Sequence, residues 1–322
     1  MIRAKRWRRR LTDPAVYLAA GALIHTAGAL SPAARQRLAR LVGALWWRTD
    51  RRQQRTVLEN LAIAFPQMLV ADRADLGRRS VCQALHSALD FAHLLHSPQA
   101  ALTHVLLDPF TTRMRDGAVE RPVMMVIPHL GSWELFGHVG ALSGIPSAAV
   151  AHELRNPYLE GLLRRTRTAH GLQIIYSDGA ARGIVRAVRQ GRHIGLLMDQ
   201  NTRLQEGGAY VDFFGLPVTV TRAPAVLARR LGMDLRVGAC VRHEDGFQIV
   251  TESLPQPAEA YADDLALLQA AMAANEALIR RFPDQYLWTY RRWRYIPSGL
   301  PLAQQRRYPF YARPEQAPVP PG

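Results

Sequence analysis

His129 and Glu134, within Pro128-His129-Leu130-Gly131-Ser132-Trp133-Glu134, are of the right types and close enough to do chemistry together. A carboxylate bonded to one imidazole nitrogen fixes the tautomer, steadies the imidazolium, and leaves the other nitrogen free to take a proton from a hydroxyl. On a regular helix a five-residue offset does not stack two side chains. Across a turn into a helix that Ser132 could cap, the carboxylate can reach back to the ring. No serine or cysteine nucleophile is positioned by an obvious motif, so the hydroxyl would belong to a substrate. The pair then suggests direct acyl transfer rather than an acyl-enzyme. Alone, a histidine and a glutamate five apart also fit a purely structural role. His86, His93 and His96 share a helical stretch at spacings of seven and three, but the carboxylate or cysteine company of a metal site is missing, so no metal is expected. Cys82 and Cys240 cannot build a disulfide framework or a zinc site and read as small buried hydrophobes.

Such a pair needs a rigid frame, and the apolar pattern supplies one. Val123 to Ile127 is a short continuous apolar run, as in a strand buried on both faces, and it ends directly before His129. Further short runs lie at 147–151, 172–176, 193–199 and 235–241. Helical stretches stand between them at 132–142, 157–170, 179–190 and 221–231. The alternation predicts an α/β fold with a mostly parallel central sheet flanked by helices. In such sheets ligands bind beyond the carboxyl ends of the strands, where His129 falls. Residues 56–97 carry a helical pattern without strand-like alternation, and a last helix is expected over about 261–281 before Phe282-Pro283. Seven of the 21 prolines lie from Pro297 onward, which predicts an extended surface tail.

The chain has 322 residues, 48 % of them hydrophobic and 21 % charged, an ordinary globular balance that excludes a disordered or multi-span chain. Its formal net charge is +15. Most of that excess sits near the N-terminus: Arg3, Lys5, Arg6, Arg8, Arg9 and Arg10 with no acid, then seven arginines from Arg35 to Arg55 against Asp50 alone. Between these blocks, Ala15 to Leu30 is uncharged but short of the roughly 20 apolar residues of a spanning helix. A signal peptide, a membrane anchor and an ordinary buried helix all fit it. Leu38, Leu41, Val42 and Leu45 followed by Trp46-Trp47 favour an interfacial helix, aromatics at headgroup depth and arginines toward anionic lipid. Clustered arginine also fits phosphate backbones, but no nucleic-acid motif accompanies it, and no nucleic-acid partner is expected.

Several blocks together resemble one family. His129 to Glu134 is similar to the HxxxxE/D signature of glycerolipid and lipid A acyltransferases. Asn156-Pro157-Tyr158-Leu159 with Arg167 and Gly171 follows, then Arg182 to Gly191 with Asp199-Gln200, Phe213-Phe214-Gly215 with Leu227-Ala228, and Phe282 to Trp288 with Arg291-Arg292. In order over about residues 120–295, they resemble the bacterial late acyltransferases of lipid A biosynthesis. The resemblance implies an acyl carrier protein thioester as donor, a lipid A precursor as acceptor, no cofactor, and an inner-membrane location facing the cytoplasm, commonly with an N-terminal anchoring helix. It implies His129 as general base with Glu134 as its orienter. Arg155, Arg167, Asp199 and Gln200 become substrate-binding candidates, Arg167 for phosphate or oxyanion and Asp199 for a sugar hydroxyl or an arginine. One departure is His152, where many relatives carry arginine four residues before the Asn-Pro; Arg155 is the nearby substitute. The block after Leu227-Ala228, reading Val237-Gly238-Ala239, lacks a proline common in relatives. These differences keep another glycolipid, aminolipid or lysophospholipid acceptor open.

The expected organisation is a basic membrane-anchoring or interfacial region at 1–55, a single α/β domain at 56–296, and a proline-rich tail at 297–322. Phe213-Phe214 fits either an acyl tunnel or the core. A non-catalytic membrane-binding protein is the alternative of another class, and an intact base aimed at a hydroxyl argues against it.

Overall fold

The computed structural model describes residues 2–97, 104–244 and 246–315, with side chains at 14 and from 16 onward. Four helices come first: α1 (Ile2–Gly28), α2 (Pro32–Thr49), α3 (Arg51–Ala64) and α4 (Val70–His96). Then follow β1 (Val105–Leu106), α5 (Pro109–Arg115), β2 (Val123–Ile127), α6 (Trp133–Leu142), β3 (Ser147–Ala151), α7 (Pro157–Thr168), β4 (Gln173–Tyr176), α8 (Ala180–Arg189) and β5 (His193–Leu197). The chain continues through β6 (Gly208–Phe213), β7 (Leu216–Thr221), α9 (Ala223–Leu231), β8 (Asp234–His243), β9 (Gly246–Ser253) and α10 (Asp264–Arg281).

The main sheet has seven strands in the order β1-β9-β8-β2-β5-β3-β4, all pairs parallel except β8 with β9. All five residues of β2 are buried, as expected for a central strand covered on both faces. Right-handed crossovers put α6 and α7 on one face and α8 and α9 on the other. The expected strands and helices lie within a few residues of their ranges. Among the β features not anticipated are β1, β9 and a separate antiparallel hairpin of β6 and β7. The hairpin turns through Phe214 (φ 50°) and Gly215 (φ 72°), the doubly positive φ that suits a two-residue turn to the twist of its strands.

Phe213 and Phe214 belong to the core. They pack among Tyr286, Trp288 and Trp293, with ring centroids 4.7 to 6.5 Å apart. The tail is anchored through residue 315: the Tyr308 hydroxyl donates to the Pro217 carbonyl (2.7 Å), Tyr311 bonds Asn60, and Tyr210 donates to Glu315 (2.5 Å).

The N-terminal helices are built onto α4. Gly28 meets the backbone of Ala92 and Gly43 meets Cys82 so closely that a Cβ at either would lie within 2.7 Å of a neighbouring atom. The Arg35 guanidinium (3.2 Å) and Arg242 both pair with buried Asp90. The tryptophans turn inward rather than to a headgroup layer: Trp47 lies over Gly77, and the Trp46 indole donates to Asp50 (3.3 Å). The opposite face of α2 carries Leu38, Leu41, Val42 and Leu45, all exposed, and α1 exposes Val16, Leu18 and Leu23. Among the described residues no helix is long and apolar enough to cross a membrane. The histidines of α4 have local partners: His93 bonds the Gly28 carbonyl (2.6 Å), His96 stacks edge-on against His25, and His86 lies near Asp90.

Candidate active site

Parallel register assembles the site. β2 and β5 are neighbours with Ile127 opposite Leu197, so two residues further on His129 and Asp199 leave the sheet side by side. Asp199 accepts from the His129 backbone N–H (2.8 Å) through Oδ2, and its Oδ1 lies 2.6 Å from His129 Nδ1. Asp199 is 3 % exposed and His129 8 %. Burial acts against a charged imidazole, but the Asp199 charge and hydrogen bond, helped by Glu134, outweigh it and raise the His129 pKa. Burial likewise opposes the Asp199 carboxylate, and the charge and two hydrogen bonds of His129 overcome it, so its pKa is lowered. With Nδ1–H donated to Asp199, Nε2 keeps its lone pair for a proton, and the Gln200 amide lies 3.2 Å from it.

The expected His129–Glu134 pairing is therefore replaced. Glu134 opens α6 and takes both arms of Arg167 on α7, Nη2 to Oε1 at 2.6 Å and Nε to Oε2 at 3.2 Å, a bidentate fork that fixes the guanidinium plane. Ser132 precedes α6 but makes no side-chain cap bond. What shapes the turn is Gly131, at φ 63°: a Cβ there would lie 2.1 Å from the Cys240 carbonyl, to which the Ser132 N–H donates (2.7 Å).

The C-terminal block, given no role from sequence, holds this end of the sheet together. The Gln285 carbonyl accepts from Gly131 N–H (3.0 Å), and the His129 carbonyl accepts from Leu287 N–H (3.0 Å). The Tyr290 hydroxyl accepts from Asn201 N–H (2.9 Å), and buried Arg292 donates to Asn201 Oδ1 (3.0 Å). Burial, then the Asp199 charge and its hydrogen bond, keep the Tyr286 phenol protonated. Arg155 is not brought to this group: it is exposed on the loop before Asn156, whose side chain caps α7. His152 hydrogen-bonds Ser177 (2.8 Å).

A cavity of about 810 Å³ opens at His129, near the upper end of the roughly 300–1,000 Å³ usual for ligand pockets. Glu134, Arg167 and Gln200 are on its wall, and the rest is mostly apolar. Consecutive residues Ala148, Ala149, Val150 and Ala151 of β3 all line it, so it reaches both faces of the sheet. Among the described residues no cluster fit to hold a metal ion is present.

A mostly parallel α/β sheet carrying a carboxylate-oriented histidine at its carboxyl end, over a large apolar cavity, defines a class of protein able to draw a proton from a hydroxyl beside an apolar ligand. The chain belongs to the bacterial lipid A biosynthesis acyltransferase family, whose model matches residues 3–295. It is similar to a lipid A biosynthesis palmitoleoyltransferase of Escherichia coli (strain K12) and to a lipid A biosynthesis acyltransferase of Shigella flexneri, at 31 % identity over 186 residues in each case, 56 % of this chain and 58 % of either relative. It thus spans a little over half the length of these two relatives. A second Shigella flexneri protein, lipid A biosynthesis acyltransferase 2, is 21 % identical over 256 residues, 78 % of this chain and 80 % of that one.

Proposed function

We propose that this protein is an O-acyltransferase that moves a fatty acyl chain from an acyl carrier protein thioester to a hydroxyl of a lipid A precursor. The observation that carries the reading is the His129–Asp199 pair opening onto an apolar cavity of about 810 Å³, within a chain of this family. The acceptor hydroxyl displaces the Gln200 amide at Nε2. His129 takes its proton as the oxygen attacks the thioester carbonyl, and Asp199 steadies the imidazolium. Collapse of the tetrahedral oxyanion forms the ester, breaks the carbon–sulfur bond, and returns the proton from His129 to the departing thiolate. A positioned base of this kind is worth on the order of 10² to 10⁴ in rate. Orientation and oxyanion stabilisation supply the rest. The first backbone N–H groups of α6, unpaired within a helix by construction, start four residues after His129 and suit the oxyanion. Arg167, its guanidinium plane oriented by Glu134, suits an acceptor phosphate.

The apolar walls hold the acyl chain, each buried methylene contributing about 0.8 kcal/mol. The exposed leucines of α1 and α2 lie on the membrane surface, with the basic N-terminus toward anionic lipid at the cytoplasmic face of the inner membrane.

The test is transfer from labelled acyl carrier protein thioester to a tetra-acylated, Kdo-bearing lipid A precursor, with lysophospholipids offered in parallel. Transfer to the precursor, lost in a folded His129→Ala variant, is the expected result. Transfer only to lysophospholipid moves the acceptor to that class. Unchanged activity in the variant removes His129 as the base.

A further inference from the structure

The charge excess near the N-terminus hides a second basic feature on the other side of the molecule. From Gly179 to Arg192 the sequence holds four arginines and no acid. Arg192 is engaged, donating to the Ser147 (3.3 Å) and Gly171 (3.2 Å) carbonyls. Arg182, Arg186 and Arg189 are not. They recur at spacings of four and three on α8, so they share one face, opposite buried Ile184 and Ala187. All three are exposed, and no side chain of the three hydrogen-bonds or ion-pairs with a described residue. Some other exposed arginines are matched, Arg78 and Arg79 to Asp75, Arg280 to Glu276 and Arg281 to Glu252.

Two further observations indicate what the stripe receives. The stripe abuts the cavity, since Ser177, Asp178, Ala180 and Ala181, at and just before the start of α8, line it. It also lies away from the apolar N-terminal helix: α1 touches α7, with Tyr17 and Tyr158 rings 5.9 Å apart, whereas α8 covers the opposite face of the sheet. No large hydrophobic residue of α8 is exposed, as a lipid-facing helix would require.

We propose that the arginine face of α8 docks the acidic surface of a small protein that carries the acyl chain as a thioester, bringing the tethered chain to the cavity wall that Ser177, Asp178, Ala180 and Ala181 line. This rests on the thioester-donor reading above, and α8 is the surface it adds. Charge complementarity of this kind acts chiefly on association rate and is weakened by salt.

The experiment compares the intact protein with an Arg182→Glu/Arg186→Glu/Arg189→Glu variant, an all-lysine version of the same three positions, and Arg306→Glu as a control at another exposed arginine. Each is given two donors with the same acyl chain, one on acyl carrier protein and one on pantetheine. The expected result for the glutamate variant is a loss of about tenfold or more in kcat/KM with the carrier-bound donor, a flattened salt dependence, and less than about twofold change with acyl-pantetheine. The lysine version retains most of the carrier-bound rate, and Arg306→Glu is unaffected. An unchanged carrier-bound rate in the glutamate variant overturns the proposal. So does an equal loss with both donors accompanied by weaker binding to phosphatidylglycerol vesicles, which assigns the stripe to lipid. Wild-type protein that uses acyl-pantetheine but not the carrier overturns the docking surface and leaves acyl transfer standing. Wild-type protein that uses neither donor overturns the functional reading itself.

Discussion

Two carboxylates flank His129, and the protein treats them differently. Asp199 leaves β5 into a closed environment, 3 % exposed, with both oxygens turned to His129. Glu134 starts α6 at the cavity wall, 28 % exposed on its side chain, with both oxygens committed to Arg167. Distance along the chain suggested Glu134 as the partner of the histidine; the structure gives that place to Asp199, 70 residues away. A buried carboxylate with both oxygens on the histidine can fix a tautomer. One shared with a bidentate arginine fixes the arginine instead.

Asp199→Asn is expected to have the largest effect on this contrast. The neutral amide can accept from Nδ1 or donate to it, and donation would move the proton to Nε2 and abolish the base. A loss on the order of 10³ to 10⁴ in kcat is expected, with the fold intact by circular dichroism. Glu134→Gln keeps His129 paired and frees Arg167 from its fork, so about ten- to a hundredfold is expected, mainly in KM for a phosphorylated acceptor. Equal losses in both variants would erase the distinction. A larger loss in Glu134→Gln would reverse it.

The pH profile sharpens the same contrast. The base must be neutral to work, and its pKa is held above the ordinary histidine value by Asp199 and, less strongly, by Glu134, against the opposing effect of burial. Activity should therefore fall as pH drops through that raised value. Removing either negative charge lowers the His129 pKa and moves the acid limb of kcat/KM to lower pH, further for Asp199→Asn than for Glu134→Gln. The profile of residual activity in each variant measures this. An acid limb that moves upward in Asp199→Asn would contradict the pairing.

The sheet was legible where one strand carries its whole signal. Val123 to Ile127 is buried throughout and reads as a continuous apolar run. The β6–β7 hairpin was not, because its turn places Phe214 at positive φ where an Asn-Gly or Asp-Gly pair would have announced it. The individual site residues were legible too, since His129 and Asp199 both follow apolar runs. Their contact was not, because it depends on β5 lying between β2 and β3, a strand order that chain sequence does not reveal. The tryptophans show the same limit. Trp46-Trp47 next to arginines is a sequence pattern of membrane interfaces, but only packing shows that Gly77 leaves room for Trp47 against α4. Tyr286 and Arg292 supported the family resemblance, yet their place around Asp199 and Asn201 comes from a chain that returns to the far end of β5.

His138 provides the finest test, one turn beyond Glu134 on the same helix and on the cavity wall. It is 1 % exposed, and neither ring nitrogen has a hydrogen-bond partner. Burial first, then the Arg167 and His170 charges, push its pKa down to about 4. If the Glu134 charge were free, this histidine would feel it; instead it feels the cation that Glu134 holds in place. The folded pKa lies below the ordinary value of 6.5, so the unfolded chain takes up the proton first as pH falls. This contribution to stability is complete above about pH 6.5, is lost between there and about pH 4, and amounts to at most roughly 3 kcal/mol. A His138→Leu variant should lose less stability to urea across that window than the parent does. In Arg167→Met the His138 resonance should titrate at higher pH than in the parent. A His138 titration unmoved by that substitution would show that the Arg167 charge does not set its pKa, and that the Glu134–Arg167 fork does not reach this far along α6.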